Sequence, residues 1–185
     1  MSAQELYVRA KIDVLLQRET QNLRAKSKEW IRPGDRFKIY VLPEKYAFVY
    51  VVHTDGKSVS ILSNATREGQ GSVLILPSMH ASYSVDGSSA TEQITIIVSP
   101  ERLPELDRID SPGMNFPAWC DIREKLISKS HIDLSEDKNE QIVIGGTTRG
   151  LNDDRDLDDD EFIKTLRTYS GKSIVVKHYE FKVKR

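Results

Sequence analysis

Apolar and polar positions alternate in short runs through the middle of the chain. From Tyr46 to Val52 the alternation gives way to apolar and aromatic residues in both phases. Tyr46, Phe48, Tyr50 and Val52 occupy one phase and Ala47, Val49 and Val51 the other, the texture of a central strand covered on both faces. Asp55-Gly56 supplies a tight hairpin turn, and Ser58 to Leu62 returns antiparallel with Val59 and Ile61 inward. Upstream, Phe37, Ile39 and Val41 alternate as a half-buried strand does after the breaker Arg32-Pro33-Gly34-Asp35. Downstream, a flexible polar link from Asn64 to Gly71 precedes a short buried strand, Val73 to Leu76. A surface loop spans Ser84 to Ala90, and Gln93 to Ser99 resumes the strand pattern. Five such strands separated by turns predict an antiparallel β-sandwich or a partly open barrel.

The flanks have a different period. Between Gln4 and Ala25 no Pro or Gly occurs, and Val8, Ile12, Leu15, Leu16 and Leu23 fall in one sector at 100° per residue, which predicts an amphipathic helix. Its polar face, with Arg9, Lys11, Asp13, Arg18 and Glu19, reads as ordinary solvation. Pro117 opens a second helix running to about Lys129, with Trp119, Ile122 and Leu126 on one face. Gln141 to Ile144 suggests a brief strand. Asp158 is a helix N-cap with Glu161 three residues on, and Phe162, Leu166 and Tyr169 continue one face until Gly171. Ser173 to Val183 forms the last strand, with Ile174 and Val176 in one phase and Tyr179, Phe181 and Val183 in the other, so a bulge is expected near Lys177-His178. The expected class is α+β, mainly β. It comprises an N-terminal amphipathic helix over 1–28 and one β-rich domain over 30–185, with a core at 32–106 and helical and strand additions over 107–185.

The chain has 185 residues and a formal net charge of -1 from 27 basic and 28 acidic residues. No overall field draws it to nucleic acid or an anionic membrane, so neither is an expected partner. The single cysteine, Cys120, excludes an intramolecular disulfide and a zinc cage of several thiolates. No run approaches the roughly 20 apolar residues of a membrane span. The N-terminus carries no signal-peptide pattern, which points to the cytoplasm unless a leader has been removed.

Candidate chemistry is sparse. Asp154, Asp156, Asp158 and Asp160 alternate like calcium ligands, but an EF-hand loop beginning at Asp154 needs Gly at position 159 and Glu at 165, where the chain has Asp159 and Thr165. A solvated loop ending in a helix cap explains the run better. His53, His80, His131 and His178 are far apart with no paired spacing. Cys120 beside Trp119 belongs to an apolar helical face rather than to a nucleophile with its base. Gly145-Gly146-Thr147-Thr148-Arg149-Gly150 lacks the order and the lysine of a phosphate loop. Tyr40, Tyr46, Phe48 and Tyr50 offer either core packing or a stacking face for a sugar or single-stranded nucleic acid, the latter disfavoured because no basic residue interleaves with Tyr46 to Val52. No catalytic residue, cofactor or metal ligand is expected. The candidate partner-contact surface is the helical stripe Val8, Ile12 and Leu15 together with Asp153, Asp154 and Asp156 of the acidic run.

One resemblance rests on turn and core motifs in a consistent order. Pro33-Gly34-Asp35 precedes the first strand, and Tyr46-Ala47-Phe48-Val49-Tyr50-Val51 runs into Asp55-Gly56. Ser60-Ile61-Leu62 is followed by Asn64, then come Leu76-Pro77, Ala90-Thr91-Glu92 and Ile96-Ile97-Val98-Ser99. In these the stretch 32–106 resembles the bacterial domain-of-unknown-function family 4384. It departs in Ser63, where the family often has Pro, and in the small residues before Glu92, where the family often has Gly. The resemblance implies a non-catalytic module of exported or envelope proteins, in the periplasm or cell envelope; together with the balanced charge and the missing catalytic constellation it leads to the expectation of a module that binds another protein. A small-molecule or glycan-binding sandwich is the alternative, and a hydrolase built on Cys120 or a histidine pair a third.

Overall fold

A computed structural model describes residues 7–68, 71–111, 114–130 and 158–184. In chain order the elements are β1 (Val8–Arg18), β2 (Gln21–Arg24), β3 (Lys28–Ile31), β4 (Arg36–Pro43), β5 (Ala47–Thr54), β6 (Val59–Glu68), β7 (Leu74–Leu76), β8 (Tyr83–Ser84), β9 (Thr91–Ser99), α1 (Phe116–Ser130), α2 (Asp159–Lys164), β10 (Thr168–Gly171) and β11 (Val175–Val183). Mainly β, they form two facing sheets that do not close into a barrel. One runs β10-β1-β4-β7, with β2 beside β1 and β8 beside β4; the other runs β3-β11-β9-β5-β6. Pairing is antiparallel except between β3 and β11.

The expected N-terminal helix is instead the hairpin of β1 and β2. Val8, Ala10, Ile12, Val14 and Leu16 alternate with Arg9, Lys11, Asp13 and Leu15, so the stretch carries a period of two beneath the apparent helical sector. The turn hides because Glu19 takes the left-handed position with φ 54°, where Gly or Asn would have signalled it. Val8 and Ile12 face the inter-sheet core, and Leu15 lies on the opposite face against Tyr40, Phe162 and Leu166. All three are buried, which removes the helical stripe as a contact surface. Asp153, Asp154 and Asp156 lie outside the described residues, as does the strand expected over Gln141 to Ile144.

The strand pattern of the middle holds. Ala47, Val49 and Val51 enter the inter-sheet core, while Tyr50 and Val52 face the other way under α1. β5 is thus covered on both faces, although β9 is the geometric centre of its sheet. The link expected from Asn64 begins as a continuation of β6, which runs to Glu68 with register shifts opposite Val49 to Val52. β11 needs no bulge, because its register with β9 is continuous from Val175 to Lys182. Ile174 and Val176 pack under α1, whereas Val175, Tyr179, Phe181 and Val183 face the core, so the two phases are two covered faces.

α1 starts where Asn115 Oδ1 accepts from Ala118 N, and it buries Trp119 and Leu126. Its last residue, Ser130, is fastened to the final hairpin: its carbonyl accepts from Lys172 N and its hydroxyl from Val176 N. Gly171 allows this approach, since a Cβ there would sit 1.9 Å from the Ile174 carbonyl oxygen. α2 is capped by Asp158, as the sequence predicts, but ends at Lys164; Tyr169 belongs to β10 rather than to a longer helix.

β2 and β10 share one edge of β1, and Asp13 lies where they meet. Rather than being solvated, Asp13 is fully buried. It accepts from Arg167 N at 2.8 Å and Arg167 Nε at 2.7 Å, and Arg24 Nη1 lies 3.6 Å away. Arg167→Ala takes the guanidinium from a buried carboxylate and leaves it the amide of position 167 and Arg24, whereas Asp13→Ala leaves Arg167, which water still reaches, and the mostly buried Arg24 without their shared anion. Arg167→Ala is therefore expected to cost about 3 kcal/mol in urea unfolding. Asp13→Ala should cost a similar amount, and the double variant less than the sum of the two.

Candidate functional site

Four chain segments build a cleft at one end of the sandwich, β4 contributing Phe37. In the β5–β6 turn, Asp55 Oδ1 accepts from Lys57 N and Ser58 N while Gly56 takes φ 84°. In the loop after β8, Asp86 Oδ1 accepts from Ser88 N. That loop is pinned to the Pro33-Gly34-Asp35 turn by Gly34 N to Val85 O and Val85 N to Asp35 O, with Gly87 packed so close to Pro33 that a Cβ would meet its ring at 2.6 Å. The start of β9 supplies Glu92.

Between these segments lies a cleft of about 240 Å³. Phe37, Leu62, Tyr83 and Val85 form its floor, with the Phe37 and Tyr83 rings 5.2 Å apart. His53 and Glu92 close it toward the core, Nε2 lying 2.5 Å from Oε2, and Asp55, Asp86, Ser84, Ser88 and Ser89 also line it. Asp55 is partly desolvated, yet the amides of Ser58 and Lys57 outweigh that and hold its carboxyl below the usual range. The Ser88 amide does the same for Asp86. Both are ionised at neutral pH. Asp55, Ser88 and Ser89 also line an adjoining groove of about 410 Å³ with Lys57, Thr91, Gln93 and Glu180. At the opposite end, a cleft of about 290 Å³ is lined by Arg9, Lys11, Leu42, Glu44 and Thr168.

Tyr40 and Tyr50 are buried and so cannot form the stacking face that the sequence left open, whereas Tyr46 is exposed. Tyr40 donates to Asp159 Oδ1, and Lys38 donates to Asp159 Oδ2 and to the Met79 carbonyl, a cluster that locks α2 onto β4. Tyr50 accepts from Leu103 N and fixes the segment after β9. Cys120 is half-buried on α1, with Arg123 Nη2 3.9 Å from its sulfur. Among the described residues no cluster of His, Cys, Asp and Glu is arranged to hold a metal ion, and no helix is long and apolar enough to cross a membrane. The cleft residues come from positions 37 to 92 and share no spacing; the one sequence signal was the pair of turn motifs, Asp55-Gly56 and the small residues after Ser84.

No family model matches the chain, and no curated protein or solved structure does either. The resemblance over 32–106 accordingly stands on its turn and core motifs.

Beside the groove, on the face that carries α1, Thr95 Oγ1 lies 2.9 Å from His178 Nδ1. Burial, reinforced by the charge of Arg123, pushes the imidazole down from 6.5 to about 4. The unfolded chain thus binds a proton that the native state refuses, so this contribution is complete above pH 6.5 and is lost as pH falls toward 4. His178→Gln is expected to flatten the fall in unfolding free energy between pH 6.5 and 4 by roughly 2 kcal/mol, after discounting for partial exposure. Chemical denaturation at both pH values measures it.

Proposed function

We propose that this chain is a non-enzymatic protein-interaction module of a bacterial envelope or secretion-linked assembly, engaging its partner through the cleft at the mouth of the sandwich. The observation that carries the reading is the convergence of an aromatic floor and a polar rim from separate segments on a preformed concavity. The cleft holds about 240 Å³ and shares Asp55, Ser88 and Ser89 with the adjoining groove of about 410 Å³. One or two partner side chains fill such a space, and the adjoining groove extends the contact along the outer sheet face. The envelope placement rests on the family resemblance alone.

A glycan or small molecule is the second reading, supported by the same enclosed floor of Phe37 and Tyr83. It has lost the exposed row of tyrosines that first suggested it.

A photo-crosslinking amino acid at the exposed position of Ser88, with one at Lys45 as the distant control, tests the proposal in cells of the native host. Position 88 is expected to capture a discrete protein that position 45 does not, and Ser89→Arg, which fills the cleft, should abolish the capture without lowering the melting temperature. Equal labelling from both positions, or capture that Ser89→Arg leaves intact, overturns it.

A further inference from the structure

Among the described residues the outer face of the five-stranded sheet is only half covered. α1 packs over Tyr50, Val52, Ile97, Ile174 and Val176, and beyond His178 the same face continues as Glu180 and Lys182 of β11 and then Lys184, with no helix above it among the described residues. The parallel register sets Trp30 of β3 beside Lys182 and Lys28 beside Glu180. Trp30 is 53% exposed, in a chain whose other tryptophan, Trp119, is fully buried. Lys182 Nζ and Lys184 Nζ each lie 5.7 Å from the Trp30 ring. Lys28 and Arg32, both exposed, stand two residues before and after Trp30 along the chain.

We propose that this patch, Trp30 with Lys28, Arg32, Lys182 and Lys184, docks a short acidic segment of a partner protein. The inference deepens the interaction-module reading by naming a second surface and the chemistry of what binds it.

Charge is the first argument. Among the described residues none of the four cations is in an ion pair, while carboxylates elsewhere are engaged with Arg18, Arg24, Lys38, Arg102 and Arg167. The two lysines over the ring are held by cation–π attraction of about 0.5–1 kcal/mol at an exposed site, which orders them without satisfying their charge. Tryptophan is one of the residue types, with Tyr and Arg, that are enriched among the anchors of protein interfaces.

The edge of β3 determines how the partner binds. Arg18 Nη2 donates to the Trp30 carbonyl at 2.7 Å, and Trp30 N donates to Glu29 Oε1. Both backbone groups of the residue at the centre of the patch are occupied, which disfavours an added strand there and favours a partner that lies on the face, read by side chains.

The surroundings decide its length. Glu180 borders the patch, Asp55 lies beyond it in the neighbouring groove, and α1 stands on the same face. A long polyanion would run from the cations onto these carboxylates, and a planar anionic membrane would meet the helix. A segment of a few acidic residues with an apolar side chain against Trp30 meets neither obstacle.

The test uses the purified full chain and three probes at low salt: an octapeptide of Asp and Glu with one central Phe, a dT12 oligonucleotide, and phosphatidylcholine vesicles with one quarter phosphatidylglycerol. Tryptophan emission reports directly, because Trp30 is the exposed indole. The peptide is expected to shift that emission and to bind at least tenfold more tightly than the other two probes. K182E/K184E, surface changes that leave the melting temperature unchanged, should weaken peptide binding at least tenfold, and Trp30→Ala should weaken it by a comparable factor measured by anisotropy of a labelled peptide. Absence of peptide binding, equal or tighter binding of oligonucleotide or vesicle, or indifference to K182E/K184E overturns the proposal. Because the probe is purified, such a failure leaves the crosslinking result at Ser88 standing on its own.

Discussion

The fold depends on one buried carboxylate. Asp13 sits in the middle of β1, on the face away from the inter-sheet core, and is held by Arg167 through both the main-chain amide and the guanidinium, 154 residues along the chain. Arg167 in turn reaches the Ala25 carbonyl, so the contact joins the first hairpin to the last third of the chain. Its main-chain carbonyl accepts from Ile12 N, filling the space between β2 and β10 on the β1 edge. The same anchoring places Phe162 and Leu166 over Leu15 and Tyr40 on one side. It leads into Gly171 and the attachment of α1 to β11 on the other. A buried ion pair of this kind adds little net stability over an apolar pair, but one left without its partner is costly, which enforces the register of what it joins.

That dependence explains what was legible in the sequence and what was not. β4, β5, β9 and β11 were readable because each buries a face, or two, with residues whose period is two over most of its length. α1 was readable from Trp119, Ile122 and Leu126, and the α2 cap from Asp158 and Glu161. The first hairpin was not, because its turn carries Glu19 and Thr20 in place of Gly or Asn, and because Leu15 and Leu23 complete a helical sector by coincidence. Asp13 looked like a solvated residue for the same reason: only the distant Arg167 reveals its burial. Nor could the cleft be seen in advance. Phe37, His53, Leu62, Tyr83 and Glu92 have no common spacing, and only the pairing of β5 with β6 and β9, and of β4 with β8, gathers them.

The dense stretch of β5 illustrates how little of a conspicuous pattern need concern function. Its aromatic and β-branched residues are used up by burial on two sides, with Tyr50 spending its hydroxyl on the Leu103 amide. Only the end of the strand, at His53 and the Asp55-Gly56 turn, reaches the cleft. The division is physical: the middle of a strand covered on both faces has no side chain to spare, and recognition falls to the turns where the sheets part company.

Sheet edges impose a further division. A ten-residue edge strand such as β6 would invite another chain to pair with it, but its register shifts against β5 twist the edge locally, a common defence against strand addition. β3, at the other edge of the same sheet, is four residues long and has the Trp30 carbonyl covered by Arg18. Arg18 also donates to Asp35, which accepts from Arg32 N and steadies the turn leading into β4. The same guanidinium therefore caps the β3 edge and braces a turn that holds the loop of the cleft through Gly34 and Val85. With both edges of this sheet defended in their different ways, contact with another protein is directed to side chains on its faces and at its mouth, where the exposed tryptophan and the cleft are found.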